Sequence, residues 1–250
     1  MLLRRFGLAI LLGFALVPVG AWAEPDYARE KRWADEIVSR LVVGDALFFE
    51  QRTGHKFLSL YTEAVNARAA VVLVHGVGVH PDWGLIGRLR SALPDDGYTT
   101  LSVQMPVLAQ AAPVEAYQST FVEASERLKI AADFLRGKGY ARAAIVSHSM
   151  GSRMTYHHLT GDAHARASAW VCIGWASEDN DFNGVSVPVL DLFGEHDWPS
   201  VLKGATKRAA SLKSSPGSRQ IKAPATDHYF SQHGVELVKY VREFLDKVLQ

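Results

Sequence analysis

The chain has 250 residues, 48% hydrophobic and 21% charged, a composition that supports one large packed core and excludes a disordered chain. Its 27 Lys and Arg against 26 Asp and Glu give no charge excess that would draw nucleic acid or an anionic membrane surface. One cysteine, Cys172, rules out an internal disulfide, and its position between Val171 and Ile173 is that of a buried structural thiol.

At the amino terminus Arg4 and Arg5 precede an apolar run from Phe6 to Val17, and Ala21, Trp22 and Ala23 supply the small-x-small pattern of a cleavage site. Residues 1–23 read as a secretory signal peptide and residues 24–250 as a single exported domain, periplasmic or secreted. The run falls short of the roughly 20 apolar residues a spanning helix needs, so a retained anchor is the weaker reading. Cleavage removes two arginines, taking the 27 basic residues to 25 against 26 acidic ones and the net charge to −1.

A helix is predicted from Asp26 to about Leu41, where Trp33, Ile37 and Leu41 recur every four residues. Short strands follow at Ala46 to Glu50 and Lys56 to Tyr61, joined by a turn at Arg52, Thr53 and Gly54. From there short apolar runs alternate with longer helical segments. "AAVVLVHG" ends at Gly76, "YTTLSVQMP" covers Tyr98 to Pro106, and "AAIVSHS" covers Ala143 to Ser149. "ASAWVCIG" ends at Gly174, "VPVLDLFG" at Gly194, and "RQIKAP" runs from Arg219 to Pro224.

Several of these runs are apolar on successive residues, as parallel strands covered on both faces must be. Between them, Phe121, Ala124, Leu128, Ala131 and Leu135 form one helical face that Gly137 should end, and Leu237, Val241, Phe244 and Val248 form another. Strand and helix in succession predict a doubly wound, mostly parallel α/β sheet. In such a sheet function sits just beyond the carboxyl ends of the strands.

The first of those ends is His75, Gly76, Val77, Gly78. A dinucleotide fingerprint would need a third glycine where Pro81 stands, so the loop reads better as one whose Val77 amide donates to a developing oxyanion. The third is "SHSMGS", which fits the G-x-S-x-G nucleophile elbow with Ser147 in the first glycine position and Ser149 as nucleophile. Alone, these serines could equally cap the helix that follows.

Serine needs a base and the base an orienting acid. Asp197, after "VPVLDLFG", is the acid, with Glu195 in reserve and helix capping as the structural alternative. His228, after "RQIKAP", is the base, ahead of His233. Ser149, Asp197 and His228, each following a separate strand, stand in the chain order of a hydrolase triad. The adjacent His157 and His158 point in different directions on a helix and no zinc motif occurs, so neither metal nor cofactor is expected.

At "VVLVHGVG", "SHSMGS", "LDLFGEHD" and "TDHYF" the chain resembles the α/β-hydrolase superfamily, and "VLVHGVGVHPDWGLIGRLRSALPDDGYTTLSVQMP" is similar to a group of exported bacterial hydrolase-like proteins. The resemblance implies Ser149 as nucleophile, Asp197 as acid, His228 as base and the amides of Val77 and Met150 as oxyanion donors. The segment "WASEDNDFNGVS" is too short for the large cap domain some members carry, so an open cleft is expected.

The reaction expected is acyl transfer to water from a small-molecule or lipid-like ester, with thioester and amide cleavage as neighbours. Trp83, Trp198 and Phe230, together with Met150, are candidates to line the acyl site. The alternative from another class is a noncatalytic binding or envelope-maintenance protein on the same scaffold.

Overall fold

The computed structural model describes residues 24–161 and 167–249, so the expected leader lies outside the described residues. Among them eight strands form one sheet: β1 (Asp45–Glu50), β2 (Lys56–Thr62), β3 (Ala69–Val74), β4 (Tyr98–Val103), β5 (Ala143–His148), β6 (Ala169–Ile173), β7 (Val189–His196) and β8 (Arg219–Asp227). Their spatial order is β1-β2-β4-β3-β5-β6-β7-β8. β2 is antiparallel to both neighbours, and every pairing from β4 across to β8 is parallel. The helices are α1 (Tyr27–Val38), α2 (Gly84–Ala92), α3 (Phe121–Gly137), α4 (Met150–Gly161), α5 (Pro199–Leu212) and α6 (Gly234–Val248).

The strand pleat explains why the central runs are apolar throughout. In β3, Ala70, Val72 and Val74 face a core shared with α3, while Ala69, Val71 and Leu73 face a second core shared with α2 and α6. The five apolar residues of α3 predicted to face inward all do so. Its amino-terminal turn, Val114–Thr120, is 3-10 rather than α, and the left-handed residue beyond its end is Gly139, φ 93°, not Gly137.

Helix α1 is shorter than its periodicity suggests and turns a charged residue inward. Asp26 caps it by accepting from the Arg29 amide at 2.9 Å, and Glu30 is buried beside Ala34 and Ile37. Glu30 is tolerated there because Arg127 of α3, itself fully buried, reaches both its oxygens. In the segment between β6 and β7, Trp175 and Phe182 pack onto Trp170, so this chain covers a face of the sheet instead of rising as a cap. Among the described residues no helix is long and apolar enough to cross a membrane.

Candidate active site

β5 delivers Ser149 at the centre of the sheet. Ser149 has φ 55°, a left-handed conformation that a non-glycine residue rarely adopts, and α4 begins at the very next residue. Its amide donates to the Ile173 carbonyl of β6 at 2.9 Å, which holds the turn open against the neighbouring strand. A Cβ on Gly151 would lie 2.7 Å from the Val74 carbonyl oxygen and closer still to that of His75, so only glycine lets α4 pass β3 here. Ser147 fits where the motif has its other glycine: its hydroxyl accepts the Trp170 indole N–H at 2.7 Å and lies 3.1 Å from the Ser152 hydroxyl. The elbow therefore forms with serine in that position.

Asp197 and His228 meet from adjacent strands. β7 ends at His196 and β8 at Asp227, one residue before each, and the Asp197 Oδ1 to His228 Nδ1 distance is 2.5 Å. Because a carboxylate oxygen can only accept, Nδ1 carries the hydrogen and Nε2 is the basic nitrogen of neutral imidazole. The backbone amide of Trp198 donates to Asp197 Oδ1 at 2.7 Å and that of Gly194 to Oδ2 at 3.3 Å, fixing the carboxylate.

Helix capping is not its role, since α5 is capped at Trp198 without any side-chain bond. Glu195 is turned away: its exposed carboxylate accepts the Ala225 amide and pairs with Lys222, which together hold its pKa below the usual range. Asp191 lies within β7 against Arg208, and Cys172 is buried, its pKa raised by burial. His233 stands at the start of α6.

His228 Nε2 is buried and has no hydrogen-bond partner among the described residues. His228 packs over Gly174, φ 57°, where an added Cβ would lie 2.9 Å from the imidazole Cε1. Gly174 directly follows Ile173, whose carbonyl takes the Ser149 amide, so Ser149 and His228 border the same strand end. No hydrogen bond joins the Ser149 hydroxyl to Nε2 in this conformation; such contacts are commonly long in unliganded enzymes and tighten on binding.

The loop after β3 adds a feature that composition does not reveal. His75 Nε2 accepts the Met105 amide at 2.9 Å, so its hydrogen is on Nδ1, which donates to the Gly76 carbonyl at 2.9 Å. Burial drives the His75 pKa down to about 3, keeping it neutral. The Gly76 carbonyl shares a trans peptide with the Val77 amide, so fixing one orients the other. Among the described residues neither the Val77 nor the Met150 amide donates to a protein acceptor. Arg29 of α1 adds a second hold, donating to the carbonyls of Gly78 at 3.1 Å and Leu108 at 2.9 Å.

Trp198 stacks on His228 with centroids 3.7 Å apart and planes 15° from parallel. Trp83 and Trp198 are each more than a third exposed, and both meet the exposed ring of Tyr229 edge-on. Phe230, expected among the lining aromatics, is instead buried in the core under α6, because its left-handed backbone, φ 53°, turns the side chain inward and leaves Tyr229 outside. Met150 is likewise buried, in the core shared with α3. Sequence reasoning missed Tyr229, although it adjoins His228, and it missed His75 and His148, whose signal was a histidine closing an otherwise apolar strand. Among the described residues no three His, Cys, Asp or Glu side chains gather as metal ligands would.

The central parallel strands, the antiparallel β2 and the left-handed serine after β5 together define the α/β-hydrolase fold, in a form without a cap domain. Solved structures of similar fold include an α/β serine hydrolase without a lid from Xanthomonas campestris, 15% identical, TM-score 0.64, with 82% of this chain and 94% of that one covered. Est1E from Butyrivibrio proteoclasticus is 13% identical with TM-score 0.66 over 82% and 99% of the two chains. Dienelactone hydrolase from Anabaena variabilis is 17% identical with TM-score 0.64 over the same shares, 82% and 99%. A family model described as "Protein of unknown function (DUF3530)" matches residues 8–126. No curated protein matches the sequence.

Proposed function

We propose that this protein is a serine hydrolase that cleaves carboxylic esters through an acyl-enzyme on Ser149. The observation that carries the reading is the Asp197 to His228 bond of 2.5 Å, which leaves a buried Nε2 without a partner at the strand end that also anchors Ser149. Ser149 Oγ attacks the ester carbonyl while its proton passes to Nε2, and Asp197 stabilises the imidazolium. The oxyanion accepts from the Val77 and Met150 amides, the second at the positive end of α4. Collapse expels the alcohol, which takes the proton from Nε2, and water then attacks the acyl-enzyme by the same route.

The substrate is a small molecule or a lipid-like ester that enters from the open side. Tyr229 and Trp198 border the base, Trp83 meets Tyr229 from the other side, and the three offer apolar surface to an acyl or alcohol group. The similar Est1E has been solved with ferulic acid bound, a small-molecule precedent on this fold. A fluorophosphonate probe is expected to label the wild-type protein at Ser149 and to spare Ser149→Ala, with short activated esters turned over only by the former. Failure to label an ordered wild-type protein would refute the hydrolase reading and leave a noncatalytic binding protein.

Export is part of the same proposal. Protein recovered from outside the cytoplasm is expected to begin at Glu24, and an amino terminus at Met1 would overturn it.

A further inference from the structure

His148 precedes the nucleophile, is buried, and has no part in the chemistry proposed above. Its position is nonetheless specific. Nε2 lies 3.1 Å from the carbonyl oxygen of His228, which can only accept, so neutral His148 carries its hydrogen on Nε2 and donates to the backbone of the base. The imidazole centroids of the two residues are 4.7 Å apart. On its other edge the ring abuts the oxyanion loop, since a Cβ on Gly76 would lie 3.3 Å from His148 Nδ1. One side chain thus spans from the loop that stabilises the oxyanion to the loop that carries the base, and its backbone leads directly into Ser149.

The base loop needs such a hold. β8 stops at Asp227, and from there the chain turns through Tyr229 to the left-handed Phe230, with the Asp227 carboxylate accepting the amides of Tyr229 and Ser231. These bonds tie the turn to itself, not to the elbow. Asp197 and Trp198 grip the imidazole, but both belong to the loop after β7. Among the described residues, the His148 bond is the one that ties the His228 backbone to the strand carrying the nucleophile.

We infer that His148 is a positioning residue, which sets the distance between the Ser149 hydroxyl and His228 Nε2 by donating from its own Nε2 to the His228 carbonyl. The inference rests on the hydrolase reading for its consequence in turnover, but not for the contact itself. Burial holds His148 neutral, its pKa pushed down to about 3, so the donor persists across ordinary pH.

Two substitutions separate hydrogen bonding from packing. His148→Gln places an amide N–H about where the imidazole Nε2–H was, whereas His148→Met fills similar space without a donor. With a short activated ester, His148→Met is expected to lose about 10- to 100-fold in kcat with KM within about 3-fold of wild type, as for a misplaced reacting group. His148→Gln should stay within about 5-fold in kcat.

A second readout needs no turnover: the proton shared by His228 Nδ1 and Asp197 should give a far-downfield NMR resonance, kept in wild type and His148→Gln and broadened or lost in His148→Met. Equal kcat and an unchanged resonance in His148→Met would overturn the inference, as would equal loss in both variants. If the resonance depends on the donor as stated while wild type hydrolyses no ester and takes no fluorophosphonate, the positioning role stands and the hydrolase reading falls.

Discussion

Arg127→Met tests the buried charge cluster that joins α1 to α3. The Arg127 side chain is 0% exposed. Its Nη1 donates to Glu30 Oε2 and to the Gln104 carbonyl at 2.9 Å each, Nη2 to Glu123 at 2.6 Å, and Nε to Gln51 at 3.1 Å. Methionine preserves length and apolar contact with Phe57 but leaves Glu30, 3% exposed, with only His55 at 3.2 Å and the Val107 amide at 3.3 Å among the described residues.

Breaking one side of a buried pair costs about 3–5 kcal/mol because the remaining charge is uncompensated, a large share of the roughly 5–15 kcal/mol that stabilises an ordinary domain. The exposed Lys31 and Asp35 pair, by contrast, should be worth well under about 1 kcal/mol. Urea unfolding at neutral pH, followed by far-ultraviolet circular dichroism and tryptophan fluorescence, reads the difference. The double variant Glu30→Leu with Arg127→Met should recover most of the loss, since the stranded charge is gone. A single variant within about 1 kcal/mol of wild type, or a double variant no better than the single, would refute this account.

Gly151→Ala should abolish labelling of Ser149 or destabilise the fold by a few kcal/mol, because the new methyl meets the backbone carbonyls of Val74 and His75; wild-type labelling with wild-type stability would contradict the elbow packing. Asp197→Asn is expected to lower kcat by about 10³–10⁴-fold while leaving the melting temperature nearly unchanged, measured by ester turnover beside calorimetry. His75 and His148, both held at a pKa of about 3 when folded against 6.5 for the free side chain, bind protons more readily in the unfolded chain across that window. Their contribution is therefore complete above pH 6.5 and falls as acid is added, by roughly 1 kcal/mol per pH unit from each. Urea midpoints between pH 6.5 and 5 should fall accordingly, and His148→Gln should flatten the slope by about one histidine's share; an unchanged slope would show that His148 is not buried neutral.

Much of this architecture is written locally. The successive apolar residues of β3, of β6 and of 143–146 in β5 are satisfied between two helical layers, and the inward stripes of α3 and α6 follow from the helical period. The chain order Ser149, Asp197, His228 marked the strand ends where chemistry would gather, because a doubly wound sheet brings those ends to one side. Local pattern failed where a side chain's environment comes from distant segments. Phe230 and Tyr229 are equally aromatic in sequence, and a single left-handed residue decides which packs in the core and which borders His228. Glu30 reads as a surface charge until Arg127, 97 residues away, is folded against it.

The sequence alone thus determined the layers and the strand ends, since these depend on periodicity and residue type. Tertiary structure alone decided that Asp197 and not Glu195 meets His228, that serine fits in place of the first elbow glycine, and that His75 and His148 brace the loops around Ser149. Those outcomes depend on contacts between segments far apart in the chain, for His75 the Met105 amide, whose lengths and directions exist only once the sheet has assembled.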